Sequence, residues 1–171
     1  MEDLNTVLSD TQKSVSDMLA TAEKSGAAWL VPRAPGKWSP SQVVEHVSRA
    51  MEESAKAVND QPAKFPRLPF FLRPLARGML FNRVLAKRAF PKARTNKPMN
   101  PELAPPSPPA TPADGRKRLE NAVASFDQAC RARGVGDQEL RSTTFGTVGL
   151  AEWARFQEVH VQHHHGQLPK A

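Results

Sequence analysis

Seven prolines fall within the fifteen residues from Pro98 to Pro112, and a segment so dense in proline is neither a helix nor the interior of a sheet. Each ring removes an amide hydrogen and holds φ near about −65°, so the stretch is extended connecting chain. It divides a chain of 171 residues into two halves. On both sides of it the apolar residues recur with the helical period, and no segment alternates at period two for long enough to predict a strand.

Leu4, Leu8, Thr11, Val15, Met18, Ala22, Ser25 and Trp29 follow one another at spacings of four and three, which predicts a long first helix packed along one seam. Ser39-Pro40-Ser41-Gln42 is a start signal: Ser39 can cap, Pro40 suits the first helical position and Gln42 can reach back to the cap. That helix is predicted to run to about Val58. Thr111-Pro112-Ala113-Asp114 repeats the device, with Leu119, Val123, Phe126 and Cys130 as the apolar stripe and Gly134 and Gly136 as the stop. A last helix is predicted from near Gly149, with Glu152 at its third position, to about Leu168. The architecture expected is all-α: a four-helix bundle in one domain spanning 1–171. A long basic, proline-rich crossover over 61–112 joins helices two and three and holds an extra helix from about Pro69 to Phe90.

The net charge of +7 is unevenly spread. Between Asp60 and Glu102 there are ten basic residues and no acidic one, leaving 14 basic and 17 acidic residues elsewhere, a net of −3. Residues 65–90 interleave Phe65, Phe70, Phe71, Leu72, Leu75, Met79, Leu80, Phe81, Val84, Leu85 and Phe90 with arginines and lysines. One reading is that this apolar face covers the bundle while the charges are solvated. The other is a basic amphipathic arm that meets an anionic membrane surface, or nucleic acid, through residues 64–97. With 39% hydrophobic and 24% charged residues the composition is globular, which excludes disordered and fibrous classes. The lone Cys130 forms no internal disulfide and belongs to no Cys-x-x-Cys pair, so a zinc ribbon and a dithiol redox site are excluded and a reducing compartment is expected. Met1-Glu2-Asp3 is acidic where a signal peptide is basic, and no apolar run approaches the ~20 residues of a membrane span. A cytoplasmic protein is the expectation.

Four of the five histidines lie in His160-Val161-Gln162-His163-His164-His165, and the fifth is His46. The interruption by Val161 and Gln162 speaks against a purification tag. On a helix His164 lies about 40° round from His160, His163 about 60° the other way and His165 about 140° off. Trp153 and Phe156 share the face of His160, so the stripe begins apolar and ends in imidazoles pointing into the bundle. His46 sits likewise among Val43, Ala50 and Ala57 on helix two. Buried imidazoles need partners, and a metal ion satisfies several at once. An i, i+4 pair from one helix with a third ring from a facing helix gives three nitrogen ligands, with coordination positions left open as in catalytic sites. Zn²⁺ and Ni²⁺ both suit imidazole. The reading takes His46, His160 and His164 as ligands, Glu53 and Gln167 as residues that orient a ligand or bound water, and His163 and His165 as bystanders. Trp38 and Trp153 are read as packing anchors, and Cys130 as a small core residue.

Trp38-Ser39-Pro40 leading into Val43-Val44-Glu45-His46-Val47, with the final His160-x-x-His163-His164-x-Gly166-Gln167-Leu168, resembles the two signatures of the DinB-like (YfiT-type) metal-binding helical bundles. Phe145-Gly146 and Leu150-Ala151-Glu152-Trp153 resemble an uncharacterised bacterial branch of them. The resemblance implies a four-helix bundle holding nickel or zinc on a histidine of helix two and two of the last helix, here His46, His160 and His164. It also implies, from characterised relatives, S-transferases and isomerases that use a low-molecular-weight thiol. The functional expectation is therefore a metal-dependent enzyme acting on a small-molecule substrate, as a thiol S-transferase. The alternative is a non-catalytic, metal-stabilised bundle whose basic arm is the binding element, or a protein that mainly forms a homodimer.

Overall fold

Helices begin in this chain where a side chain captures an orphan amide. In a computed structural model describing residues 2–91 and 95–169, Asp3 accepts from the Thr6 amide at 2.9 Å and opens α1 (Leu4–Glu23). Ser39 accepts from the Gln42 amide at 3.3 Å while the Gln42 side chain accepts from the Ser39 amide at 2.8 Å. This reciprocal cap opens α2 (Pro40–Val58). The first helix is shorter than its apolar seam predicts. It stops at Glu23 because Gly26 takes a left-handed φ of +49°, and Trp29 then folds back to bury its ring instead of extending the seam.

The crossover's extra helix is present as a composite. A 3₁₀ turn (Phe70–Leu72) leads into α3 (Arg73–Ala76), a π turn (Arg77–Phe81) and α4 (Asn82–Lys87), and Arg88 ends the run at φ +50°. Its apolar residues divide. Phe81 and Val84 are buried and Leu80, Leu85 and Phe90 are half-buried on the bundle, whereas Phe70, Phe71, Leu72, Leu75 and Met79 face solvent. Of the ten basic residues of the crossover, Lys92 and Arg94 lie outside the described residues.

After a 3₁₀ turn (Lys97–Met99), the proline-rich chain is strapped to α2. The buried Arg49 pairs with Glu45 at 2.7 Å and donates to the carbonyls of Asn100, Ala104 and Pro106. The Trp29 indole and the Ser41 hydroxyl both donate to the carbonyl of Pro109. Backbone carbonyls that proline leaves without amide partners thus find side-chain donors. Thr111 then caps α5 (Pro112–Gly134), accepting from the Asp114 amide at 3.1 Å.

One expectation is corrected between α5 and the last helix. β1 (Glu139–Ser142) and β2 (Gly146–Gly149) form an antiparallel hairpin with Leu140 opposite Val148, both buried. Four residues are too few for a period of two to stand out, and the turn depends on Gly146 at φ +77°. The hairpin holds the start of the arm, because the Leu68 amide donates to the Thr143 carbonyl at 3.0 Å. It leads directly into α6 (Leu150–His165), whose first turn is closed by the Gly149 amide donating to Glu152 at 3.1 Å.

The four long helices make an all-α bundle, α2 packing chiefly on α5 and α1 on α6. Val7, Leu8 and Met18 of α1, Val44 and Met51 of α2, Leu119 and Phe126 of α5, and Leu150, Trp153 and Val161 of α6 belong to one buried cluster. Each such side chain contributes about 1.5–3 kcal/mol by leaving water. Arg155 of α6 bonds Glu2, Asp10 and Glu158, a buried clasp to the first helix. Among the described residues no helix is long and apolar enough to cross a membrane.

Candidate metal centre

Three elements bring the imidazoles together. α2 carries His46 inward on a face otherwise filled by Val43 and Ala50. α6 carries His160 and His164 one turn apart beyond the apolar residues Trp153 and Phe156. The strapped crossover supplies the third side. The Nε2 atoms of His46 and His164 lie 3.1 and 3.0 Å from Nε2 of His160, and the ligand atoms of all three residues fall within 4.8 Å of one another.

The other ring nitrogens show which hydrogens are where. Nδ1 of His46 is 2.8 Å from the carbonyl oxygen of Met99. A carbonyl only accepts, so Nδ1 carries the hydrogen and Nε2 is a bare lone pair. Gln167 acts alike on His164, its Oε1 accepting from Nδ1 at 2.9 Å while its amide nitrogen donates to His163 at 3.0 Å. Two lone pairs therefore face Nε2 of His160, which carries at most one hydrogen and can satisfy only one of them. A single divalent cation satisfies all three nitrogens. Bonds of about 2.1 Å from one ion to three imidazoles set their nitrogens roughly 3.0–3.4 Å apart, close to the two spacings found. The donor set and its outer hydrogen bonds fit a metal ion.

The electrostatics agree. Burial lowers His46 to about 4, with the Arg49 and His163 charges adding to the effect and the Met99 carbonyl opposing it. His160 and His164 are held well below the ordinary histidine value first by burial, then by the His164, His46 and His163 rings in the case of His160 and by the His46 and His163 rings in that of His164, where the Gln167 hydrogen bond opposes the effect. The three rings are neutral near pH 7, the form a metal requires.

Gln167, expected to orient a ligand ring, touches His164. Glu53 does not. Seven residues beyond His46 it is about 10 Å further along the helix axis, and its carboxylate bonds the Lys56 ammonium at 2.6 Å and the Lys64 amide at 2.7 Å. It ties the start of the crossover to α2. His163 touches Gln167, and His165 bonds the Thr21 hydroxyl of α1 at 2.8 Å. Trp38 is more than an anchor: its ring lies 4.9 Å from that of His46 and 6.1 Å from that of His164. The Met99 carbonyl is the contributor that sequence reasoning missed. Its only trace is its position between Pro98 and Pro101, where carbonyls lack local amide partners.

The cluster opens into a cleft of about 710 Å³ walled by Trp38, Phe65, Phe90, Phe145, Trp153 and Phe156. Arg33 and Lys37, both exposed, line it as well, and no carboxylate does among the described residues. The Trp153 indole N–H is buried with no acceptor among the described residues. Cys130 is buried on α5 and takes no part in the lining.

No curated protein and no solved structure matches the chain. The family model of the DinB superfamily matches residues 4–168, a span that holds both histidine-bearing helices and the crossover between them. The chain belongs to the DinB superfamily.

Proposed function

We propose that this protein is a divalent-metal-dependent enzyme that transfers a small thiol to an electrophilic substrate, with nickel or zinc on His46, His160 and His164. The observation that carries the reading is the convergence of three Nε2 atoms at the floor of an open cleft, two of them with their Nδ1 hydrogens tied to outside acceptors. An ion held there supplies Lewis-acid chemistry, lowering the pKa of a thiol that binds it. The chain's residues supply the remainder. The aromatic walls surround the floor of the cleft with apolar surface, which strengthens charge interactions there. Arg33 and Lys37 attract the carboxylates of an acidic low-molecular-weight thiol, and the Trp153 N–H is a donor for the substrate. Cys130 is remote from the cleft and pushed up to about 12 by burial, so the reacting sulfur comes from a co-substrate and not from the chain. In the transfer the thiol sulfur forms a bond to the electrophilic carbon, the leaving group departs with its electron pair, and the thiol proton passes to solvent.

The test is elemental analysis of the purified protein beside His160→Ala, followed by a transfer assay with an acidic thiol and an aryl halide. About one divalent ion per chain, lost in the variant together with turnover, is expected. Wild-type protein that takes up neither Ni²⁺ nor Zn²⁺ sinks the reading. Metal without turnover, and with a melting temperature that falls on chelation, favours the non-catalytic alternative.

A further inference from the structure

We propose that the outer face of the arm, residues 70–87, docks on an anionic lipid bilayer. Single exposed apolar side chains are ordinary, but the ten residues from Phe70 to Met79 expose five large ones, with Phe70 78%, Phe71 66% and Met79 67% accessible. The Phe70 and Phe71 rings pack edge to face on each other, centroids 5.6 Å apart, and project as a pair. Phe71, Leu75 and Met79 recur at a spacing of four, which Arg83 and Lys87 continue. All five are exposed, so the apolar end of the composite helix and its cationic end both face solvent.

The charges have the matching sign and are available. Arg77 and Arg88 face Glu152 and Glu158, each at 3.7 Å, whereas Arg67, Arg83 and Lys87 have no carboxylate partner among the described residues. An apolar tip beside a row of free cations is the form of an interfacial segment, its aromatic end entering the acyl boundary and its cations meeting lipid phosphates. Nucleic acid would engage the cations and leave five apolar side chains in water. A second copy would cover the apolar side chains but bring two strongly basic arms together. An anionic bilayer satisfies both features at once. None of the five exposed residues lines the cleft, so this surface stands apart from the metal chemistry.

The experiment is co-sedimentation of the full chain with vesicles of phosphatidylcholine mixed with phosphatidylglycerol, and with phosphatidylcholine alone, across salt concentrations. Pelleting with the mixed vesicles only, weakened by salt, is expected. The double substitution Phe70→Ser with Phe71→Ser, and separately Arg83→Glu with Lys87→Glu, should each lower vesicle affinity at least about tenfold, with the melting temperature unchanged to show that the variants fold. No pelleting, or pelleting unaffected by the phenylalanine pair, overturns the proposal. So does light scattering that finds a dimer which the phenylalanine pair dissolves. A duplex-DNA complex sensitive to the charge reversal, with no vesicle binding, overturns it in favour of nucleic acid.

Discussion

The carbonyl oxygen of Met99 lies 2.8 Å from Nδ1 of His46, a residue 53 positions away on α2. The contact makes the crossover, and not the helix bearing the ring, responsible for which imidazole nitrogen faces the cluster. Arg49 holds the same stretch from the next turn of α2 through the carbonyl of Asn100. The proline-rich chain is thus part of the centre and not merely a connection between two helical halves.

Gln167 performs the equivalent task for His164 and is open to mutation, as a backbone carbonyl is not. Gln167→Leu removes the acceptor for the Nδ1 hydrogen and should weaken metal binding by about 10–100-fold. Gln167→Glu keeps an acceptor and should retain most of the affinity. Competition against a chromophoric chelator measures both. Equal affinities for wild type and the leucine variant count against an orienting role.

Stability of the metal-free protein should depend on pH in a definite direction. Burial lowers His46 to about 4 in the folded state, against about 6.5 in an unfolded chain. As pH falls the unfolded chain takes up the proton first. The stability associated with this group is fully present above about pH 6.5, declines toward about pH 4 and changes no further below, a loss of about 3 kcal/mol for His46 alone. Urea unfolding of chelator-treated protein across this window reads the slope, and His46→Gln should make it shallower while His160 and His164, also lowered by burial, keep the remainder. A wild-type slope of zero contradicts the burial of a neutral ring.

Arg49→Met removes a buried charge that bonds Glu45 and three crossover carbonyls. Breaking a buried pair costs about 3–5 kcal/mol, and because Glu45 keeps Arg118 at 3.1 Å the lower end is expected. Denaturant unfolding gives the number. Metal affinity should fall in the same variant, since the segment holding Met99 is no longer strapped down.

Gly115 lies under the Trp29 ring, where a Cβ would sit 2.5 Å from two ring carbons. Gly115→Ala gains about 1 kcal/mol of helix propensity and loses about 1–3 kcal/mol to overpacking, so a net loss of up to about 2 kcal/mol is expected. Gly78→Ala meets no atom within 4 Å and should be neutral or stabilising. Thermal melts of the two variants make the comparison, and a Gly115→Ala variant as stable as wild type would show that Trp29 moves freely.

How much of this was legible beforehand follows from what each feature rests on. The helices at Ser39, Thr111 and Gly149 declare themselves through local hydrogen bonds between residues three apart, which a sequence displays directly. The histidine trio follows from angles about a helix axis, also local. The end of α1 was not legible, because the seam through Ser25 and Trp29 fits a helix as well as it fits a turn at Gly26 followed by packing on Gly115. The hairpin was too short to reveal its period. Glu53 was misplaced because a wheel projects away the distance along the axis: it shares an edge with His46 but stands two turns off. The division of the arm into covering and exposed halves depends on where the bundle surface ends, which only the packed structure defines.

His163, His164 and His165 are three identical letters with three destinations: a glutamine amide, the imidazole cluster and a hydroxyl on the first helix. A helix deals out successive residues at 100°, so rotation alone separates their duties. Slide α6 by one residue in either direction and the places of His160 and His164 pass to Val159 and His163, or to Val161 and His165. One imidazole would then stand where two are required. The phase of a single helix is in this sense a chemical setting, and it is kept by the Gly149 to Glu152 contact at one end and by the Arg155 clasp to the first helix.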